Sequence, residues 1–246
     1  MESGVRIISY PERFIRPLPL PHWLAWAIVW QLLFLVDYGL TWYNTGESHS
    51  IVFAGIAIFF SVVCGAIIYC TRVLENFGGQ LPEIIALDAV KVNEWFKEKM
   101  NRSYTGFIPL LSGLVVSAGA IASLYPLITE LTPGGIAGLL PFRLAYLSFG
   151  FFCLGISLWA LLSLTLMPIE LTGLPIRVRV NQYSGSGLQS LGTTYLKMAL
   201  AISLSFMAVV IVAVIAPMES SPVILGWLGG AALLIFGFFL LPQVGI

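Results

Sequence analysis

Six runs of about 20 apolar residues decide what this chain can fold into, because each is long enough to cross the hydrocarbon core of a bilayer as a helix. They cover about 22–43, 51–72, 106–128, 142–167, 193–216 and 223–243. The chain is 58% hydrophobic and 10% charged, against roughly 25% charged in soluble domains. Most of its surface therefore needs lipid as solvent. Trp23, Trp26, Trp42, Tyr43 and Trp227 gather near the ends of the runs, where interfaces hold amphipathic rings. The expected fold is all-α: a polytopic integral membrane protein, a six-span transmembrane helix bundle with one amphipathic cytoplasmic helix. Residues 1–21 form an N-terminal segment and 22–246 the membrane domain.

Lysine and arginine give the orientation. Arg6, Arg13 and Arg16 precede the first run; Arg72, Lys91, Lys97, Lys99 and Arg102 follow the second; Arg177, Arg179 and Lys197 follow the fourth. The turns at 44–50 and 217–222 carry none, and Arg143 alone breaks the alternation, at the edge of 129–141. The positive-inside rule then places both termini in the cytoplasm, with a prokaryotic cytoplasmic membrane as the expected location. Arg143 is expected to snorkel to the outer interface. No small-residue cleavage site follows the first run, so it reads as a retained anchor and not a signal peptide. The chain stops at FFLLPQVGI without a basic tail, which reads as a sign that the natural protein continues past Ile246. Prolines divide the last four runs into two similar hairpins: Pro126 and Pro217 end one helix, Pro133 or Pro141 and Pro222 precede the next, and Pro168 and Pro242 close it.

Two connections on the cytoplasmic side carry features of their own. At about 82–102, Pro82 and Glu83 suit a helix start. Ile85, Ala89, Val92, Phe96 and Met100 then share a face, with Asp88, Lys91, Glu94, Lys97 and Glu98 over much of the rest. This amphipathic helix either lies on the membrane surface or packs against the bundle, and its acids favour packing. At about 174–192, Ile176, Val178 and Val180 alternate with Arg177 and Arg179, which reads as a short strand in want of a partner. A glycine loop follows. Its Gly187 and Gly192 frame a phosphate-loop spacing, but Thr193 stands where the lysine that neutralises phosphates belongs. A nucleotide hydrolase is therefore not expected. A weaker anion or ligand site is the reading left, built from Arg177, Arg179, Ser184, Gly185, Gly187 and Thr193 at a helix N-terminus.

Polar groups inside the spans are few. Gln31 and Asp37 lie in the first, off one another's helical face, and no lysine or arginine is expected to pair with them. His22 and His49 fall on opposite sides of the membrane, and the three cysteines (Cys64, Cys70, Cys153) form no metal or disulfide pattern. No catalytic set, metal site or cofactor is expected, and zero formal net charge gives no attraction to nucleic acid. Small residues form candidate contact faces: Ala57, Ser61 and Gly65; Gly113 and Ser117; Gly226 and Gly230. The TPGGIAGLLP connection reads as a surface turn in preference to a pore loop.

These features favour a non-enzymatic membrane protein, an oligomeric channel or passive transport pore built from copies of one chain. The alternative is a signalling sensor or anchor domain coupled to a cytoplasmic region or partner. A secondary transporter using Asp37 comes third, because proton relays normally show more intramembrane charge.

Overall fold

The computed structural model describes residues 8–45, 51–130, 132, 138–175, 192–201, 203–205 and 207. All elements among them are helical: α1 (Tyr10–Ile15), α2 (His22–Thr45), α3 (Ile51–Gly78), α4 (Leu81–Ile84), α5 (Ala89–Tyr104), α6 (Phe107–Glu130) and α7 (Leu139–Thr172), followed by a helical run from 192. Four stretches are long and apolar enough to cross a membrane: His22–Thr45, Phe53–Gly78, the α5–α6 stretch Ala89–Glu130, and Leu139–Ser163. They coincide with the first four apolar runs. The sixth run, most of the second half of the fifth, the 176–180 strand and the glycine loop lie outside the described residues, and with them Arg177, Arg179, Ser184, Gly185, Gly187, Gly226 and Gly230.

The bundle is two antiparallel hairpins, α2 with α3 and α6 with α7, joined through contacts of α7 with α2 and α3. Aromatic rings fill the join. Trp30 stacks near Trp26, Phe60 and Phe149, with centroids 6.2, 4.9 and 5.8 Å away. Trp26 and Trp30 are fully buried, and rings at these separations add attraction beyond the area they bury. Outward-facing positions are apolar too, including Leu32, Leu35 and Val36 on α2 and Leu111, Leu114 and Val115 on α6. An apolar exterior over an apolar core is the pattern of a helix bundle in lipid. The three cysteines are free and buried among these side chains.

Three proline readings change. Pro126 lies inside α6, which continues to Glu130; Pro141, one of the two candidates to precede the next helix, lies in the first turn of α7; and α7 continues through Pro168 to Thr172. A proline within a long helix forfeits one backbone hydrogen bond, and packing around it sustains the helix. At 34 residues, α7 is roughly 50 Å long, longer than a hydrocarbon core of about 30 Å.

The amphipathic segment is broken where one continuous helix over 82–102 was expected. Pro82 sits in the four-residue α4; the chain is extended at Ile85; α5 then starts afresh from Asp88, whose side chain accepts from Val90 N at 3.4 Å. A capping acceptor satisfies an amide that the helix itself leaves free. α5 buries Val92, Phe96, Met100 and Tyr104 and exposes Lys91, Glu94, Lys97 and Glu98. It packs on the bundle, touching α6 and α7. Lys99 forms an ion pair with Glu170 near the end of α7, and Ala86 N donates to Pro175 O at 2.6 Å.

Candidate functional site

The helix-contact faces set the register of the side chains around the charged sites. On α6, Ser112 donates to Gly155 O and Ser117 to Ser148 O of α7, both at 2.9 Å. A Cβ on Gly155 would lie 2.6 Å from Ser112 O, and one on Gly113 would lie 2.7 Å from the Phe152 ring. Gly113 and Ser117 therefore form the close contact that their spacing suggested, and Gly155 completes it from α7. The Ala57, Ser61 and Gly65 row behaves differently. Ala57 is buried, Ser61 bonds back to Ala57 O of its own helix at 2.8 Å, and a Cβ on Gly65 meets nothing within 4 Å among the described residues.

This packing brings one acid and one base together inside the bundle. Asp37 and Thr41 are four apart on α2 and so share a face; Arg143 lies in the second turn of α7. Arg143 Nε donates to Asp37 Oδ1 at 2.7 Å and Nη2 to Asp37 Oδ2 at 3.2 Å. Nη2 also donates to Thr41 Oγ1 at 3.0 Å, and Nη1 to Thr132 Oγ1 at 3.2 Å. The Thr41 hydroxyl donates in turn to Asp37 O at 2.8 Å. The guanidinium carbon sits 4.1 Å from the centroid of the Phe53 ring on α3. Asp37 is 0% and Arg143 1% exposed.

The sequence expectation that Asp37 has no basic partner and that Arg143 snorkels is corrected here. Burying either charge alone in an apolar core is prohibitive; burying both, fork to fork, is tolerable. Arg143 also lies near the positive end of the α7 dipole, which opposes a cation. The Asp37 carboxylate and the Phe53 face compensate for that. One signal in the sequence pointed this way: Arg143 is the base that breaks the charge alternation, and Asp37 is the acid of the first run. Gln31, the other polar residue of that run, is exposed on the outer face of α2.

A second network lies at the opposite end of the bundle. Glu12 of α1, 1% exposed, pairs with Arg72 of α3 and sits 2.9 Å from Nδ1 of His22, the first residue of α2. Arg72 Nη1 also donates to Glu75 Oε2 at 2.6 Å. Trp26 Nε1 donates to Pro11 O at 3.2 Å, and Tyr10 Oη to Thr105 O at 2.8 Å, so α1 is strapped to α2, α3 and the α5–α6 junction. Sequence reading treated 1–21 as a plain tail and assigned His22 nothing. The residues that meet here are 60 apart in the chain, and no local pattern joins them.

Among the described residues no group of three or more His, Cys, Asp or Glu is placed to hold a metal ion. Thr193 is exposed within the helical run described from 192; the other residues of the expected anion site lie outside the described residues. Comparison with protein-family models, curated proteins and solved structures finds no match to this chain.

Proposed function

We propose that the chain is a membrane-embedded sensor or anchor module: a six-span bundle with both termini in the cytoplasm, which presents α5 and the 174–192 connection to a cytoplasmic partner. The observation that carries this reading is the closed interior of the bundle. Trp26, Trp30, Phe60 and Phe149 stack across its middle, and the two charged networks lie on either side of them along α2. Conduction needs a polar or wettable path, and the stacked aromatic layer between the two ion-pair networks offers no continuous one among the described residues. A pore between copies is disfavoured by the apolar outer positions of α2 and α6. A relay through Asp37 is disfavoured because both of its oxygens accept from Arg143. The polar face of α5, held to the end of α7 through Lys99 and Glu170, supports the presentation of a cytoplasmic surface.

Planar-bilayer recording and liposome flux assays test this directly. Purified protein at increasing density is expected to add no voltage-dependent or constitutive ion flux over empty membranes. A conductance that scales with protein density and changes when Trp30 is replaced by alanine would overturn the sensor reading in favour of the channel.

A further inference from the structure

We propose that the cleft between α3, α7 and the helical run from 192 is a binding site for an acyl chain, whose carbonyl oxygen accepts a hydrogen bond from Tyr104. The cleft has a volume of about 80 Å³, and its walls include Phe59, Ala66 and Cys70 of α3, Leu158 and Leu161 of α7, and Ser205. That is about half the ~150 Å³ of an apolar cavity known to take benzene. It suits a length of unbranched chain better than a ring system.

The hydroxyl protons around the cleft select the ligand. Ser157 donates to Cys153 O at 2.8 Å and Ser205 to Ala201 O at 3.1 Å. Thr71, beside Tyr104, donates to Ile67 O at 2.7 Å. Tyr104 is 0% exposed and forms part of the cleft wall; its hydroxyl lies beside Thr71 but makes no hydrogen bond of normal geometry. A buried donor left unpaired costs about 1–3 kcal/mol, so a ligand that brings an acceptor recovers that cost. Water suits the cleft poorly, because an ordered water needs 2–4 polar partners and most of the described lining is apolar. Depth points the same way. Tyr104 ends the amphipathic α5, and two residues separate it from the apolar α6, a change of character that would fall near the ester carbonyls of a bilayer. This site is separate from the Asp37–Arg143 pair and independent of the sensor reading.

Photolabelling of detergent-purified full chain tests the site. Two probes carry the same diazirine on the acyl chain, one a free palmitic acid and the other a phosphatidylglycerol, and adducts are mapped by mass spectrometry. The expected adducts fall on the α3 and α7 residues of the cleft and are competed by the unlabelled counterpart. Labelling by the free acid alone identifies a soluble acyl ligand; labelling by the phospholipid identifies a bilayer lipid. Tyr104→Phe is expected to raise the half-saturating probe concentration roughly three- to tenfold while leaving the ligand-free melting temperature unchanged or higher. Ala160→Trp, which fills the cleft, is expected to abolish competed labelling; where it fails to fold, Tyr104→Phe decides. Adducts spread without competition over the outer faces of α2 and α6, or an unchanged concentration dependence in Tyr104→Phe, would overturn the proposal.

Discussion

Arg143→Met leaves the Asp37 carboxylate buried against Thr41 with no cation, and Asp37→Leu leaves the guanidinium in the same position. Each single substitution is expected to destabilise the bundle by about 3–5 kcal/mol, whereas the double substitution costs less than the sum, because it removes both charges from an apolar surround. Tryptophan-fluorescence unfolding in detergent measures all three, and additive losses would show that the two side chains do not act as a pair. At this scale the sequence names the right residues without joining them. Asp37 and Arg143 are each visible as exceptions, one to the apolar run and the other to the charge alternation. Their meeting depends on the rotation of α2 and α7 about their own axes. Helices apolar nearly all round, such as the LAYLSFGFFCLGISLWALL stretch of α7, do not encode that rotation in their periodicity.

Between elements, contact distance decides. Gly155→Leu would drive a side chain into the Ser112 carbonyl, 2.6 Å from the position of its Cβ. The expected result is a loss of about 3 kcal/mol, at the upper end of overpacking costs, with separation of α6 from α7. Gly65→Leu, where a Cβ meets nothing within 4 Å among the described residues, is expected to change stability little. Thermal melts of the two variants side by side check the contrast; equal losses would remove the argument. Small residues four apart were legible on both α3 and α6, yet among the described residues the α6 row lies against α7, whereas on α3 Ala57 is buried and Gly65 is open. A small residue permits close approach without compelling it. The break before α5 was hidden for a related reason. The apolar spacing from Ile85 onward fits a helix, and what stops it is local: an extended Ile85, Ala86 bonded to Pro175, and a cap at Asp88. Bonding to residue 175 is a tertiary choice.

For the whole molecule, the topology remains a direct experiment. In a variant without native cysteines, Lys97→Cys on the exposed face of α5 is expected to resist a membrane-impermeant maleimide in intact cells and to react after permeabilisation. Tyr43→Cys, 88% exposed near the end of α2, is expected to react from outside. The reverse pattern would invert the orientation. By itself the sequence determined the helical class, the places of the first four long apolar helices and the amphipathic character of the α5 region. Those follow from run length and composition, since a backbone in lipid has to bond within its own helix. Only the tertiary structure decided that Asp37 clasps Arg143, that α1 is strapped down through Glu12, His22 and Arg72, and that Tyr104 is left with an unpaired hydroxyl at a cleft. Each of these joins residues far apart in the chain, and packing between helix faces, which local patterns do not specify, brought them together.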